Sequence, residues 1–141
     1  MDGEVLSVIL ILFFLLIVSL VLYLNKTPKI NEKVRKKLWG DVLQIKKMLE
    51  INNPLIYRDI IVRLDSLLSK SLRLYYKNSE NCGTNLKQAK DLFNKDEYNR
   101  IWEVHKLRNK VVHENKEVSS SELKNAYNII SLAIKKILYE K

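Results

Sequence analysis

The sequence is poor in the residue types that most non-helical folds require. Among 141 residues there are 3 Gly, 2 Pro and 1 Cys. A turn-rich β sandwich or a collagen-like chain needs far more Gly and Pro, and a disulfide scaffold needs several Cys. The single Cys82 predicts neither a disulfide nor a zinc site, and it agrees with a reducing compartment. The length leaves room for one modest domain and excludes a large multidomain enzyme.

Charge is absent from one long stretch, Val5 to Leu24, in which only Ser7 and Ser19 fall outside the apolar set. A helix of this length spans about 30 Å, the thickness of the hydrocarbon core of a bilayer. A cleavable signal peptide would begin with basic residues and end at small ones, and neither is present here. The sequence therefore predicts a transmembrane helix at 5–24, preceded by a short extracytoplasmic tip at 1–4.

Basic residues flank only the C-terminal side of this segment. No Lys or Arg precedes it, whereas positions 26 to 37 contain Lys26, Lys29, Lys33, Arg35, Lys36 and Lys37. Because Lys and Arg mark the cytoplasmic side of a membrane protein, we expect a single-pass protein of the inner (plasma) membrane with its N-terminus outside. Residues 25–30 then form a basic juxtamembrane linker, and residues 31–141 form a cytoplasmic domain.

The cytoplasmic part carries the whole basic excess. Asp2 and Glu4 are the only charged residues before position 25, so the remainder has all 25 Lys and Arg against 14 of the 16 Asp and Glu, a net charge of +11. A charge of this size attracts polyanions, whether nucleic acid or anionic lipid.

Four segments show the spacing of three and four residues between apolar positions that is typical of helices. They lie near 31–51, near 55–77, from Leu86 to Val112 with a break near 94–96, and from Ser119 onward, with a loop at 78–84. Ser119 and Glu122 fit a capping box at the start of the last helix. We therefore predict an all-α fold: one transmembrane helix followed by a four-helix up-and-down bundle.

One basic residue falls on the wrong face of the third predicted helix. Projected at about 100° per residue from His105, Arg108 lies at about 300°, inside an apolar arc that runs from about 200° through 0° to about 60°. His105 and Asn109, at about 40°, lie in the same arc, and His113, at about 80°, lies just beyond it. A guanidinium stays charged when it is buried, so Arg108 has to meet an acid, a partner subunit or an anionic ligand. One interpretation is an ion pair with a carboxylate of another helix, such as Asp65, while His113 caps the helix end. His105 alone is interpreted as a packed, hydrogen-bonded core histidine.

The segment LRNKVVHE at 107–114 resembles the signature of the HEPN superfamily (higher eukaryotes and prokaryotes nucleotide-binding domains). That signature is an Arg, four to six further residues and a His, commonly with a polar residue directly after the Arg. Arg108, Asn109 and His113 fill these places with a spacing of four. The resemblance covers residues 31 to 140 and implies a HEPN-like four-helix fold that acts as a homodimer.

Many members of that family are metal-independent ribonucleases in which Arg and His of both subunits line one cleft. The resemblance therefore implies that Arg108 holds the scissile phosphate and that His113 acts as general acid or base. Asn109 then orients either the imidazole or the phosphate. We expect His105 and Lys110 to assist in binding an RNA or nucleotide substrate, and we expect no metal and no other cofactor. The implied partners are a second copy of the chain and an antitoxin or nucleotidyltransferase.

Other chemistries lack the residues that they need. A Gly-rich phosphate loop is excluded, and Asp91, Asp96 and Glu97 are spaced so that a helix does not gather them into a Mg²⁺ site. Two alternatives to an endoribonuclease stay open. One is a non-catalytic, membrane-tethered module that binds RNA, a nucleotide or a protein. The other is a structural homodimer in which Arg108 and His113 make interface hydrogen bonds.

Overall fold

A computed structural model describes residues 3–24 and 30–139 of the chain. Within these ranges the protein is all-helical and has no β-strand, which confirms the predicted all-α class. The α-helices are α1 (Gly3–Leu24), α2 (Glu32–Glu50), α3 (Tyr57–Tyr76), α4 (Cys82–Gln88), α5 (Lys95–His113) and α6 (Ser120–Tyr139). Short 3₁₀ turns at Pro54–Ile56 and Ala89–Leu92 precede α3 and follow α4.

Helix α1 is long enough and apolar enough to cross a membrane. Over Val5–Tyr23 its mean hydropathy is 3.4, and none of this segment is buried inside the protein. A helix that is hydrophobic on all sides needs apolar surroundings, which the rest of the described chain does not provide. The helix expected at 5–24 is therefore present. Of the expected tip and linker, residues 1–2 and 25–29 lie outside the described residues.

Helices α2, α3, α5 and α6 share one hydrophobic core, with α3 at its centre. Helix α3 contacts each of α2, α4, α5 and α6. Five of its apolar side chains are fully buried: Ile60, Ile61, Leu64, Leu68 and Leu72. Burial of a side chain of this size contributes about 1.5–3 kcal/mol. Of these, Ile60, Leu64, Leu68 and Leu72 are positions that the three-and-four spacing predicts to face the core.

Side-chain caps determine where several helices begin. The side chains of Asn31, Asn81 and Asn94 accept hydrogen bonds from backbone N–H groups in the first turns of α2, α4 and α5. At the start of α6 the Glu122 N–H donates to Ser119 Oγ over 3.2 Å, and the Ser119 N–H donates to Glu122 Oε2 over 3.0 Å. The predicted capping box is thus confirmed.

The segment between α3 and α5 differs from its prediction. Residues 82–88, expected partly as a loop and partly as the start of a long helix, form the separate helix α4, so the described chain has five α-helices after α1. Lys77 has a positive φ of 51° and ends α3, and Asn81 starts α4 four residues later. Phe93 is extended and Asn94 caps α5, which separates α5 from α4. Cys82 and Gly83 therefore belong to a helical first turn.

Candidate functional site

A carboxylate is buried in the middle of the core. The side chain of Asp65 in α3 is only 7% exposed, and it follows Ile61 by four residues and precedes Leu68 by three, so it shares their face. A buried carboxylate is strongly unfavourable unless it is paired or hydrogen-bonded. Side chains from α4 and α5 meet it here, and together they form the candidate site.

The first partner of Asp65 is His105 of α5. His105 Nδ1 lies 2.7 Å from Asp65 Oδ1, and the imidazole is 12% exposed. Because an ionised carboxylate only accepts hydrogen bonds, Nδ1 carries a proton and, in the neutral ring, Nε2 carries the free lone pair. The ring of Trp102, one turn earlier in α5, packs edge-on against the imidazole at 5.6 Å between centroids. The orientation of the ring is thus held by a hydrogen bond and an aromatic contact.

The free nitrogen of His105 faces Gly83 in the first turn of α4. A Cβ at Gly83 would lie 3.7 Å from His105 Nε2 and 3.6 Å from Asn81 Oδ1. These are ordinary van der Waals distances, so a methyl group fits without a clash but fills the space beside Nε2. The lack of a side chain at Gly83 therefore leaves Nε2 open on this side.

The second partner of Asp65 is Arg108, one turn after His105. Arg108 Nε lies 3.6 Å from Asp65 Oδ2, which is an ion pair but too long for a hydrogen bond. Nη1 of Arg108 donates to Asn109 Oδ1 over 2.9 Å, whereas the buried Nε has no hydrogen-bond partner among the described residues. The side chain is 28% exposed. Arg108 thus pairs with the carboxylate that the sequence indicates, and it keeps donors for an additional acceptor.

Cys82 is the third group at Asp65. Its Sγ lies 3.8 Å from Asp65 Oδ1, with the thiol as donor. Burial of the thiol, together with the charge and hydrogen bond of Asp65, raises the pKa of Cys82 to about 12. The group stays a thiol near neutral pH, so Cys82 is not an activated nucleophile in this environment.

These side chains open onto one groove of about 480 Å³ between α3, α4 and α5. Two guanidinium groups line it, from Arg73 and Arg108, against the single carboxylate of Asp65. Arg73 Nε donates to the Glu80 carbonyl over 2.7 Å, which fixes the side chain and leaves its terminal nitrogens available. The remaining polar lining consists of Ser66, Ser69, Asn81, His105 and Asn109. A polar groove with a net positive charge suits an anionic ligand.

The wall of the groove at α4 is held by a pair of amides. Asn78 Nδ2 donates to Asn85 Oδ1 over 2.8 Å, and Asn85 Nδ2 donates to Asn78 Oδ1 over 2.9 Å. Asn85 is fully buried, so both of these bonds are protected from water. The two bonds join the ends of the segment that carries Asn81, Cys82 and Gly83, and so hold this segment in position against α5.

The structure brings three of the five predicted site residues together and separates the other two. His105, Arg108 and Asn109 line the groove, so His105 is hydrogen-bonded as expected but is also part of the site. His113, at the C-terminal end of α5, is exposed and does not line this groove. Lys110 lines a different groove between α5 and α6. Residues five apart on a helix point about 140° from each other, which explains the separation of Arg108 from His113.

Several residues of the groove are not among those that the sequence predicts. Asp65 is predicted only as an ion-pair partner, although it interrupts the apolar row of Ile61 and Leu68 in the same way as Arg108 interrupts that of α5. That signal was sufficient to select it. Cys82 and Gly83 carry no such signal, because only the packing of α4 on α5 brings them to His105.

No family model, no curated protein and no solved structure matches the chain. The family resemblance of residues 107–114 and the catalytic roles that it implies therefore stay predictions.

Proposed function

We propose that this protein is a membrane-anchored, HEPN-like four-helix domain that binds RNA in the α3–α4–α5 groove and cleaves it without a metal ion. The observation that supports this most directly is the pair of Asp65 and His105. A buried carboxylate orients an imidazole whose free nitrogen faces the side-chain-free Gly83 at the groove, and two guanidinium groups line the same groove. A base and a phosphate-binding cation are what cleavage of a phosphodiester requires.

In the proposed reaction His105 Nε2 removes the proton of a ribose 2′-hydroxyl. The 2′-oxygen attacks the adjacent phosphorus, the bond to the 5′-oxygen breaks, and a 2′,3′-cyclic phosphate forms. The 5′-oxygen leaves as a hydroxyl after it receives a proton from a second histidine in its imidazolium form, His113 of another copy of the chain. Asp65 does not touch the substrate; it is a positioning residue that holds the tautomer of His105 and stabilises the imidazolium.

Arg108 is assigned to the phosphate that is cleaved. Its terminal nitrogens, not the buried Nε, supply hydrogen bonds to a non-bridging oxygen, and its charge stabilises the negative charge that develops in the transition state. Removal of one such donor typically lowers kcat by about 10²–10³-fold. Asn109 accepts a hydrogen bond from the guanidinium and so restricts its orientation.

His113 enters the proposal through a homodimer, the assembly that the family resemblance implies. In a single chain His113 is exposed and away from the groove, so it takes part only if a second copy supplies it as the acid for the leaving oxygen. Lys110, with Lys106 beside it at the neighbouring groove, contacts RNA that extends beyond the scissile bond.

The location is proposed from α1 and the charges that follow it. The apolar helix anchors the chain by a single span in the plasma membrane, with the N-terminus outside and the basic domain in the cytoplasm. A nuclease in that compartment has to be restrained from the cell's own RNA. An antitoxin or a nucleotidyltransferase is the partner that the family resemblance implies for this purpose.

A second candidate function is a non-catalytic module that binds RNA or another phosphate-containing ligand in the same groove. The ion pair between Arg108 and Asp65 favours this alternative, because the carboxylate neutralises part of the charge that would stabilise the transition state. Binding without turnover, weakened by loss of Arg108, is the result that it predicts.

The test uses the full chain in lipid nanodiscs, with RNA oligonucleotides and a chelator. The proposal predicts cleavage with 2′,3′-cyclic ends, lowered at least about 100-fold by Arg108→Gln. Arg100→Gln is the matched control, because Arg100 is an exposed arginine of α5 paired with Asp96 and lies outside this groove. Undiminished cleavage by Arg108→Gln would overturn the proposed mechanism. Binding with no cleavage by the wild-type protein would support the second candidate.

A further inference from the structure

Three side chains of metal-ligating type meet at the inner end of the groove. A carboxylate oxygen of Asp65, Sγ of Cys82 and a ring nitrogen of His105 all lie within 4.8 Å of one another. They come from α3, α4 and α5, so the packing of three helices holds them in place. A carboxylate, a thiolate and an imidazole form a donor set that suits Zn²⁺ and is too soft for Mg²⁺ or Ca²⁺.

One separation matches a tetrahedral site, a second is shorter, and the third, between Cys82 Sγ and the His105 ring nitrogen, is at most 4.8 Å. With bonds of about 2.0–2.3 Å to zinc, neighbouring ligand atoms lie about 3.3–3.8 Å apart. Cys82 Sγ and Asp65 Oδ1 are 3.8 Å apart. His105 Nδ1 and Asp65 Oδ1 are 2.7 Å apart, because a proton lies between them. Replacing that proton by zinc requires these two atoms to separate by roughly 0.6 Å, which small side-chain rotations provide.

The surroundings supply the remaining features of a zinc site. Three protein ligands leave a fourth position, and the groove gives water or a phosphate oxygen access to it. Arg108 lies at Oδ2 of Asp65, so Oδ1 is the oxygen available to the ion, and the guanidinium orients the carboxylate from outside the coordination sphere. The negative charges of the carboxylate and the thiolate balance the charge of the ion.

We propose that Asp65, Cys82 and His105 bind Zn²⁺ and that the ion inhibits the site. On binding, the Cys82 thiol releases its proton to solvent and the sulfur bonds to zinc. His105 binds through Nδ1, and its proton moves to Nε2, which then cannot accept the proton of a 2′-hydroxyl. Only the inhibitory effect rests on the proposed function, because the ion binds whether or not the groove cleaves RNA.

The binding test titrates the full chain in nanodiscs with Co²⁺, which takes the place of Zn²⁺ and absorbs light. We expect one Co²⁺ per chain, visible bands of a four-coordinate ion, and a thiolate-to-cobalt charge-transfer band. That band is assignable, since Cys82 is the only cysteine. Cys82→Ser removes the band, and His105→Gln weakens Co²⁺ binding at least about tenfold. His113→Gln, at the other of the 2 histidines, leaves the spectrum unchanged.

A measurement on the wild-type protein avoids any effect of the variants on folding. X-ray absorption at the zinc edge is expected to show one sulfur neighbour at about 2.3 Å and nitrogen or oxygen neighbours at about 2.0 Å. No charge-transfer band, no sulfur neighbour, or equal Co²⁺ affinity in Cys82→Ser and wild type would overturn the site.

Inhibition is tested separately from binding. In a chelator-free RNA cleavage assay, Zn²⁺ is expected to inhibit the wild-type protein at concentrations at least about tenfold lower than those that inhibit Cys82→Ser. Equal inhibition of both proteins would overturn the inhibitory role. A cobalt spectrum with a thiolate band in a protein that cleaves no RNA would establish the metal site and contradict the proposed ribonuclease.

Discussion

Asp65 of α3 and His105 of α5, which are 40 residues apart in the chain, are joined by a 2.7 Å hydrogen bond across the packed helices. Asp65 stands in a row of buried aliphatic side chains, where a leucine would extend the core. A buried polar network of this kind adds stability only when all its members are satisfied, and Arg108 Nε is not satisfied within the described residues. Stability alone therefore does not account for the arrangement.

Replacement of Asp65 by Asn tests its role as a positioning residue. The amide oxygen can still accept a hydrogen bond from His105 Nδ1, but the charge that stabilises an imidazolium and balances Arg108 is lost. We expect RNA cleavage to fall at least about 100-fold and the free energy of unfolding to fall by about 1–3 kcal/mol, since Arg108 is only partly buried. Single-turnover cleavage and urea denaturation measure the two effects. A variant with wild-type kcat and KM would contradict this role.

A methyl group at Gly83 should separate catalysis from stability. Gly83→Ala fills the space beside His105 Nε2 at ordinary contact distances, so we expect cleavage to fall at least about tenfold while the fold gains up to about 1 kcal/mol from better helix propensity. Gly40→Ala is the matched control, because Gly40 is also helical and nothing lies within 4 Å of its Cβ position. The control should gain similar stability and keep full activity. Equal activity in both variants would show that the substrate does not need the space at Gly83 to reach His105 Nε2.

The start of α6 should contribute to acid sensitivity. Hydrogen bonds from Lys116 and the Ser119 backbone lower the pKa of Glu122 to about 2, from 4.5. Because the folded-state pKa is the lower one, the stabilisation is complete above pH 4.5 and is lost as the pH falls towards 2. The pair with Lys116 is about 40% exposed, so solvent screening limits the effect to about 1 kcal/mol.

Glu122→Gln is the variant that measures this contribution. Its free energy of unfolding should lie below that of the wild type at pH 7, and the two curves should converge as the pH is lowered towards 2. The same substitution at Glu103, an exposed residue of α5, serves as the control. A wild-type and a Glu122→Gln curve that stay parallel down to pH 2 would contradict the assignment.

Several charges in the middle of α1 should prevent stable insertion into a membrane. A triple variant, Leu12→Arg, Phe14→Arg and Leu16→Arg, places three cations near the centre of the apolar segment at a cost of about 2.5–3.5 kcal/mol each, which together offset the favourable insertion of the remaining apolar residues, whereas Ser19→Ala leaves the segment apolar. We expect the first variant to be extracted from membranes by alkaline carbonate and the second to stay bound like the wild type. Retention of both variants in the membrane pellet would contradict a spanning role for α1.

The positions of α2, α3 and α6 follow from their sequence within a few residues, because each has an apolar face that repeats over five turns or more. The same periodicity also revealed Arg108, since a guanidinium within an apolar arc needs a partner. Helix α4 could not be predicted in this way. It has only seven residues, and its start depends on the Asn81 cap and on the amide pair of Asn78 with Asn85.

The composition of the site depends on how the helices are rotated against one another, which periodicity does not determine. His105 lies within the apolar arc of α5 and His113 lies just beyond its edge, and the family resemblance favours His113. Packing against α3 places His105, and not His113, beside Asp65. Likewise, Cys82 lies 17 residues from Asp65 in the chain, far outside any local metal-binding motif, so no zinc site was predicted.

The most direct test of the central claim compares the wild-type protein with His105→Gln, in nanodiscs, on one RNA oligonucleotide in the presence of a chelator. If the imidazole held by Asp65 is the general base, kcat/KM should fall at least about 100-fold while the Kd for an uncleavable 2′-deoxy analogue changes little. Cleavage by His105→Gln at the wild-type rate, with the same 2′,3′-cyclic ends, would contradict the claim that the Asp65–His105 pair carries the reaction.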